Sequence, residues 1–265
     1  MKISKILDVL KVPENYNEVY SPSNDSYLFL DFIDTSEFKM IFFEWLAERI
    51  QHSKRNFISV LDMGCGSGIL GYVLILKLLD LILESINSEM PNFQTIILDY
   101  IDINEKAINL ARELVRQNEQ LLADHFAKFM ENKKKISVQV NFFVSNLFKS
   151  HNVRLTYPYD YVIFNPPYLP SEPAIINENN RKIIDYAWDG GDDSGNAIIL
   201  DFFSNLDDKI NKHSQIFFIS SSHAQLDVLV KSLEEMGYLI ELKQSIHIFF
   251  EDIMLFQAKK PSSSL

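Results

Sequence analysis

The chain has 265 residues, with 25 Lys and Arg against 36 Asp and Glu, for a formal net charge of -11. That length fits one large domain or two small ones, and 47% hydrophobic with 23% charged residues is an ordinary globular composition. The acidic balance speaks against a protein that grips a phosphate backbone unaided, and the single cysteine, Cys65, excludes an intrachain disulfide.

Met1 to Lys5 leads into a short apolar stretch broken by Asp8 and Lys11, with no signal-peptide core. Phe38 to Ile50 carries apolar residues at helical spacing and predicts an amphipathic helix. Ser53 to Asn56 separates this helical part from an α/β pattern. The expected division is a helical extension over 1–52 packed on the core, a catalytic domain over 53–260 and a disordered tail over 261–265. Phe57 to Asp62 is a short buried strand, and a helix runs from about Ile69. The most apolar window, Ile69 to Ile86, holds Lys77, Asp80 and Glu84, which suits a buried helix better than a membrane span. A soluble cytoplasmic protein, present also in the nucleus, is the expectation.

A loop at 87–92 precedes a second strand, Thr95 to Ile101. Glu105 to about Phe129 reads as one helix with Ala107, Ile108, Ala111 and Leu114 on its apolar face, ending in the charged turn Glu131 to Lys135. Ile136 to Val144 is a third strand, apolar on both faces as a buried strand is, and Tyr159 to Phe164 a fourth. A polar loop covers 171–180. Ala197 to Leu206 is a helix, Gln215 to Ser220 a strand, and Ala224 to Met236 a helix ended by Gly237. Tyr238 to Gln244 and Ile253 to Ala258 close the chain as a hairpin-like pair. Strands alternating with helices predict a doubly wound, mostly parallel sheet, whose ligands bind at the carboxyl ends of the strands.

Both chemical motifs fall at such ends. Asp62-Met63-Gly64-Cys65-Gly66-Ser67-Gly68 follows the first strand, and its glycines let the backbone approach a ligand that a Cβ would repel. Asp62 can bind the loop amides or an amino group of the ligand, and Asp102, ending the second strand, can hold ribose hydroxyls. Gly66 to Gly71 also fits the dinucleotide pattern G-x-G-x-x-G, but that pattern expects its acidic residue roughly 20 residues on, well short of Asp102. Cys65 reads as a small residue packed in a tight loop. No Cys and His spacing suits a metal, and none is expected.

Asn165-Pro166-Pro167-Tyr168 follows the fourth strand. The tetrapeptide suits chemistry at a planar NH2 group, whose lone pair is delocalised. The Asn165 side-chain oxygen and the Pro166 carbonyl can accept its two N–H bonds and draw off developing positive charge. The prolines hold that carbonyl rigidly, and Tyr168 offers a flat face for a planar group.

At these residues the chain resembles class I S-adenosylmethionine-dependent methyltransferases with an NPPY motif. More narrowly it resembles HemK-type glutamine methyltransferases of the eukaryotic and archaeal branch. Tyr20-Ser21-Pro22-Ser23-Asn24-Asp25-Ser26 is similar to that branch's Y-x-P-x-E-D-T. Trp188-Asp189-Gly190-Gly191 is similar to its W-x-G-G, and Phe249 to Leu255 to its last strand pair. The resemblance implies an α/β fold with a mostly parallel seven-stranded sheet and an antiparallel last strand.

By the same resemblance the cofactor is S-adenosylmethionine, bordered by Ser26, Asp62, Gly64, Gly66, Asp102, Asn146 and Asn165. Catalysis falls to Asn165, Pro166 and Tyr168, with Pro167 and Trp188 also holding the substrate. That substrate would be the glutamine of the Gly-Gly-Gln loop in a class I release factor, presented with the factor's GTPase partner. A small zinc-binding activator would cover an apolar strand edge at Ile136 to Val144. Asn24 departs from the family's glutamate, and Asn146 from an aspartate. Adenine N6 methylation, lysine methylation and a non-enzymatic scaffold remain the competing readings. No added recognition domain or basic stripe favours a nucleic-acid substrate.

Overall fold

Phe57–Met63 (β1) is buried at six of its seven positions because it takes parallel partners on both sides, β2 (Thr95–Asp102) and β4 (Tyr159–Phe164). The computed structural model describes residues 2–13, 18–52, 55–85, 93–132, 134–150, 158–171 and 182–261. The loop expected at 87–92, nearly all of that at 171–180 and the tail from 262 onward lie outside the described residues. Among them the sheet has seven strands in the order β3-β2-β1-β4-β5-β7-β6, with β3 at Ser137–Val144, β5 at Ile210–Ser221, β6 at Leu239–Ile248 and β7 at Glu251–Lys259. β7 runs antiparallel to both neighbours and the other pairs are parallel. The strand order reverses between β1 and β4, which is where doubly wound sheets open a crevice.

Alternate strand residues feed two apolar layers. Val60, Tyr161 and Phe217 pack with α1 (Ile3–Leu7), α2 (Asn24–Ile33), α3 (Ser36–His52), α4 (Ile69–Ser85), α5 (Glu105–Gln117) and α6 (Glu119–Glu131). Leu61, Val162 and Phe218 pack with α7 (Ala197–Ser204) and α8 (Leu226–Glu235). The Phe32 and Phe38 rings lie 5.6 and 6.0 Å from that of Phe217, so α2 and α3 share the core of the sheet. α4 is buried almost all round, and its charges are placed accordingly. Lys77 donates to Asp34 at 2.8 Å, and Asp80 faces His125 Nε2 at 3.2 Å. No helix among the described residues is long and apolar enough to cross a membrane.

One helix differs from the sequence pattern. The single helix expected from Glu105 to about Phe129 is two helices meeting at Asn118. The Asn118 amide donates to Leu114 O and Lys11 O and accepts from Lys11 N, while its carbonyl takes the Tyr72 hydroxyl. The break therefore ties the N-terminal segment and α4 to the junction. β3 takes the place expected of the apolar strand edge at Ile136 to Val144. It lies at the sheet edge, half-buried along most of its length, because only β2 flanks it.

Asp160 anchors the amino ends of the central strands. Its carboxylate takes Arg49 at 3.2 Å, Arg55 at 2.8 Å and the Ser59 N–H at 2.9 Å. Arg49 is itself buried, so Asp160→Ala leaves a guanidinium without its counter-charge. A loss of about 3–5 kcal/mol is expected in denaturant unfolding. A loss below about 1 kcal/mol would mean that the pair is solvated.

Candidate active site

The ends of β1, β2 and β4 open into a cavity of about 370 Å³, also walled by the N-terminal segment before and at the start of α2, by residues near Trp188 and by the start of β7. Met63 pairs with Phe164 across β1 and β4, so the residues after each, Gly64 and Asn165, stand side by side. The two motifs, far apart in sequence, thus share one crevice.

Gly66 has φ +52, and a Cβ built on it meets only Tyr20 O, at 3.8 Å. It is the loop position where a side chain would project toward the cavity. Asp102 fixes this turn: Oδ2 accepts the Gly66 N–H at 2.9 Å, and Oδ1 that of Asn104 at 2.8 Å. Burial lifts the Asp102 carboxyl above its ordinary range, although the N–H groups of Asn104, Gly66 and Ile103 pull the other way. Asn146 is exposed and lines the same end.

Asp62, expected at the cofactor border, is not part of the cavity wall. It is buried behind the loop, where Oδ2 accepts the Gly71 N–H at 2.8 Å. Burial drives its carboxyl well up, against that hydrogen bond and with the Asp102 charge adding to the rise. Asp62 therefore shapes the loop from the helix side. Cys65 is buried too, and burial, then the charges of Asp102 and Asp62, push its thiol well up. The result is an inert packed thiol, not a nucleophile.

The N-terminal segment forms a strap over the glycine loop. Glu18 O accepts from the Asn104 amide at 2.6 Å, and the Glu18 carboxylate pairs with Lys106. Ser26 lines the cavity, but its hydroxyl and N–H are directed to its neighbour Asp25. Asp25 is the hub: it also accepts the Tyr20 hydroxyl at 3.1 Å and that of Tyr168 at 3.5 Å. Burial and then the Asp25 charge lift the Tyr20 phenol to about 12, and the same causes raise that of Tyr168. Both phenols stay protonated and act as donors.

Asn165, Pro166, Pro167 and Tyr168 all line the cavity, and the Asn165 Oδ1 atom is buried without a hydrogen-bond partner among the described residues. A buried amide oxygen left unmatched costs on the order of 1–3 kcal/mol, so this is an acceptor held ready for a donor. Tyr168 is held by a second backbone. Leu169 N–H donates to Trp188 O at 3.0 Å and Gly190 N–H to Leu169 O at 2.8 Å, which sets Trp188 on the cavity wall. A Cβ on Gly195 would lie 2.4 Å from Tyr168 O. Among the wall residues to which the sequence pattern assigned no role are Tyr20, Asp25 and Glu251. Tyr20 and Asp25 lay inside a motif from which only Ser26 was assigned a role, and no local pattern marks Glu251.

No family model matches the chain. A putative protein N5-glutamine methyltransferase of Methanocaldococcus jannaschii is 28% identical over 158 residues, 60% of this chain and 67% of that protein. The eRF1 methyltransferase catalytic subunit mtq2 of Schizosaccharomyces pombe is 23% identical over 227 residues, 86% of this chain and 83% of that protein. Among solved structures, the Mtq2-Trm112 complex of E. cuniculi matches with a TM-score of 0.51 at 17% identity, covering 92% of this chain and all of the matched one. The hMettl16 catalytic domain, solved with an MAT2A 3'UTR hairpin, matches at 0.52 with 14% identity, over 97% of this chain and 77% of that one. The chain shares the seven-stranded α/β fold of class I methyltransferases, and in sequence it is similar to protein N5-glutamine methyltransferases.

Proposed function

We propose that the chain methylates the side-chain amide nitrogen of the glutamine in the Gly-Gly-Gln loop of a class I release factor, with S-adenosylmethionine as methyl donor. The observation that carries this reading is the buried, unpartnered Asn165 Oδ1 at the strand end beside the glycine loop. The residues present fit the cofactor: the open, positive-φ Gly66 leaves room for a ligand, and the Asp102 carboxylate can receive ribose hydroxyls. When bound, S-adenosylmethionine supplies an electrophilic methyl group on a sulfonium.

The chain's own residues do the rest by placement. Asn165 Oδ1 and the Pro166 carbonyl accept the two N–H bonds of the amide and stabilise the positive charge that grows as its lone pair leaves conjugation. Tyr168, fastened by Asp25 and the Leu169–Asp189 bridge, gives the amide plane a face to rest on. With no strong base among these contacts, orientation and electrostatics provide the acceleration, and the surplus proton of the methylated nitrogen, strongly acidic once the methyl is attached, leaves to water. A small activator protein would cover the half-buried edge of β3, where Val138, Val140 and Phe142 alternate with polar residues. In this reading it is the family's zinc-binding partner, and the release factor arrives with its GTPase.

The test is peptide mass spectrometry on a release factor incubated with this chain, the activator and S-adenosylmethionine. One added methyl on the Gly-Gly-Gln glutamine is expected. An unmodified glutamine beside intact cofactor binding would overturn the reading.

Cofactor affinity should also depend on pH. The ionised Asp102 carboxylate is the form that accepts hydroxyl donors, and its pKa in the folded chain is raised. Affinity is therefore full above that pKa and falls as pH drops through it, at a pH above the ordinary aspartate value of about 3.9. Asp102→Asn should weaken binding by about ten- to a hundredfold and flatten the dependence, as calorimetry across pH would show. A variant with the wild-type profile would assign the titration elsewhere.

A further inference from the structure

Asn165 Oδ1 is not alone. Glu251 Oε1 is a second buried oxygen on the wall of the same cavity without a hydrogen-bond partner among the described residues. Glu251 opens β7, directly after Phe249 and Phe250, whose rings stand 89% and 92% exposed at the hairpin turn. It lines the cavity together with Tyr20 and Tyr168, and its charge is among the causes that raise both phenols. The nearby Asp25 already accepts from Ser26, Tyr20 and Tyr168. Glu251 is thus the carboxylate left to meet something that enters.

The chemistry of that visitor is constrained. A carboxylate oxygen shut away from water without a donor is unfavourable, so the donor comes with the ligand. The two N–H bonds of a reacting amide are already matched by Asn165 and Pro166 in the reading above. Glu251 therefore takes a further N–H, beyond the reacting group. A polypeptide carries such a donor next to every side chain. A nucleotide carries phosphates there, which a carboxylate repels.

Resting on the proposed glutamine methylation, we propose that Glu251 is a substrate-positioning residue that accepts a main-chain N–H of the polypeptide beside the modified glutamine. It acts on how the substrate is held, not on the methyl transfer itself.

Steady-state kinetics of the full chain with its activator test this. With release factor as substrate, Glu251→Ala should raise KM about tenfold or more while kcat stays within about twofold. Glu251→Gln, which keeps an acceptor oxygen, should recover most of the loss, and the Kd for S-adenosylmethionine should not move in either variant. On synthetic Gly-Gly-Gln peptides, replacing one of the two peptide bonds flanking the glutamine by an ester removes the donor. That ester should penalise the wild type and cost Glu251→Ala nothing more. An unchanged KM in Glu251→Ala, an ester penalty of equal size in both chains, or a shifted cofactor Kd would each overturn the assignment. A wild-type chain that methylates no glutamine would remove both this inference and the reading beneath it, whereas an active wild type with an indifferent Glu251 removes only the inference.

Discussion

Asn165→Ala should lower kcat by about 10²–10³-fold, with the Kd for S-adenosylmethionine within about twofold of wild type. The side-chain oxygen has no partner among the described residues, so its removal breaks no hydrogen bond there and should leave folding stability near that of the wild type. What disappears is one of two acceptors placed where positive charge develops on nitrogen. An interaction of that kind is made in the transition state, so the loss falls on kcat and on kcat/KM alike. Single-turnover methylation of the release factor measures it directly. A variant retaining kcat within about fivefold would show that orientation by the Pro166 carbonyl and Tyr168 suffices, and Asn165 would lose its catalytic role.

The second large effect is expected from a residue that touches no ligand. In Gly195→Ala the new methyl would lie 2.4 Å from Tyr168 O and 3.2 Å from Pro170 N, both backbone atoms, at a φ of +73. Backbone strain and overpacking together should destabilise the fold by about 2–4 kcal/mol. Because the displaced group is Tyr168, the folded fraction should also turn over about 10²-fold more slowly, the usual consequence of misplacing a positioning group by about an ångström. Gly237→Ala separates the two contributions. It has the same sign of φ, at +85, but meets only the Lys260 ammonium at 3.9 Å and lies away from the cavity. It should cost about 1–2 kcal/mol and leave kcat unchanged. Urea unfolding and kcat measured on both variants decide the matter. Equal kcat in the two would dissociate Gly195 from the placement of Tyr168.

The parts of this molecule that the sequence announces are those written in consecutive residues. The glycine loop, the Asn-Pro-Pro-Tyr turn and the strands that deliver them need only local backbone preferences, and β4 spans the residues expected of it. What the sequence hides is decided by approach from a distance. Asp25 reaches Tyr168 across 143 residues, so the adjacent Ser26 drew the assignment while Asp25 makes the contacts. Asp62 carries the right chemistry for a ligand, yet the fold turns it toward Gly71. The helix break at Asn118 depends on Lys11, 107 residues away.

The strap from Glu18 to Ser26 has a consequence for how such an enzyme can be switched off. It supplies a wall of the cavity and the carboxylate that fastens Tyr168, yet it contributes no strand to the sheet. A shortened chain that begins beyond Ser26 would keep all seven strands while losing a wall of the cavity and the carboxylate that fastens the tyrosine. Abundance measured by an antibody against the sheet would then overstate activity, and the length of the N-terminus would be the better marker of working enzyme.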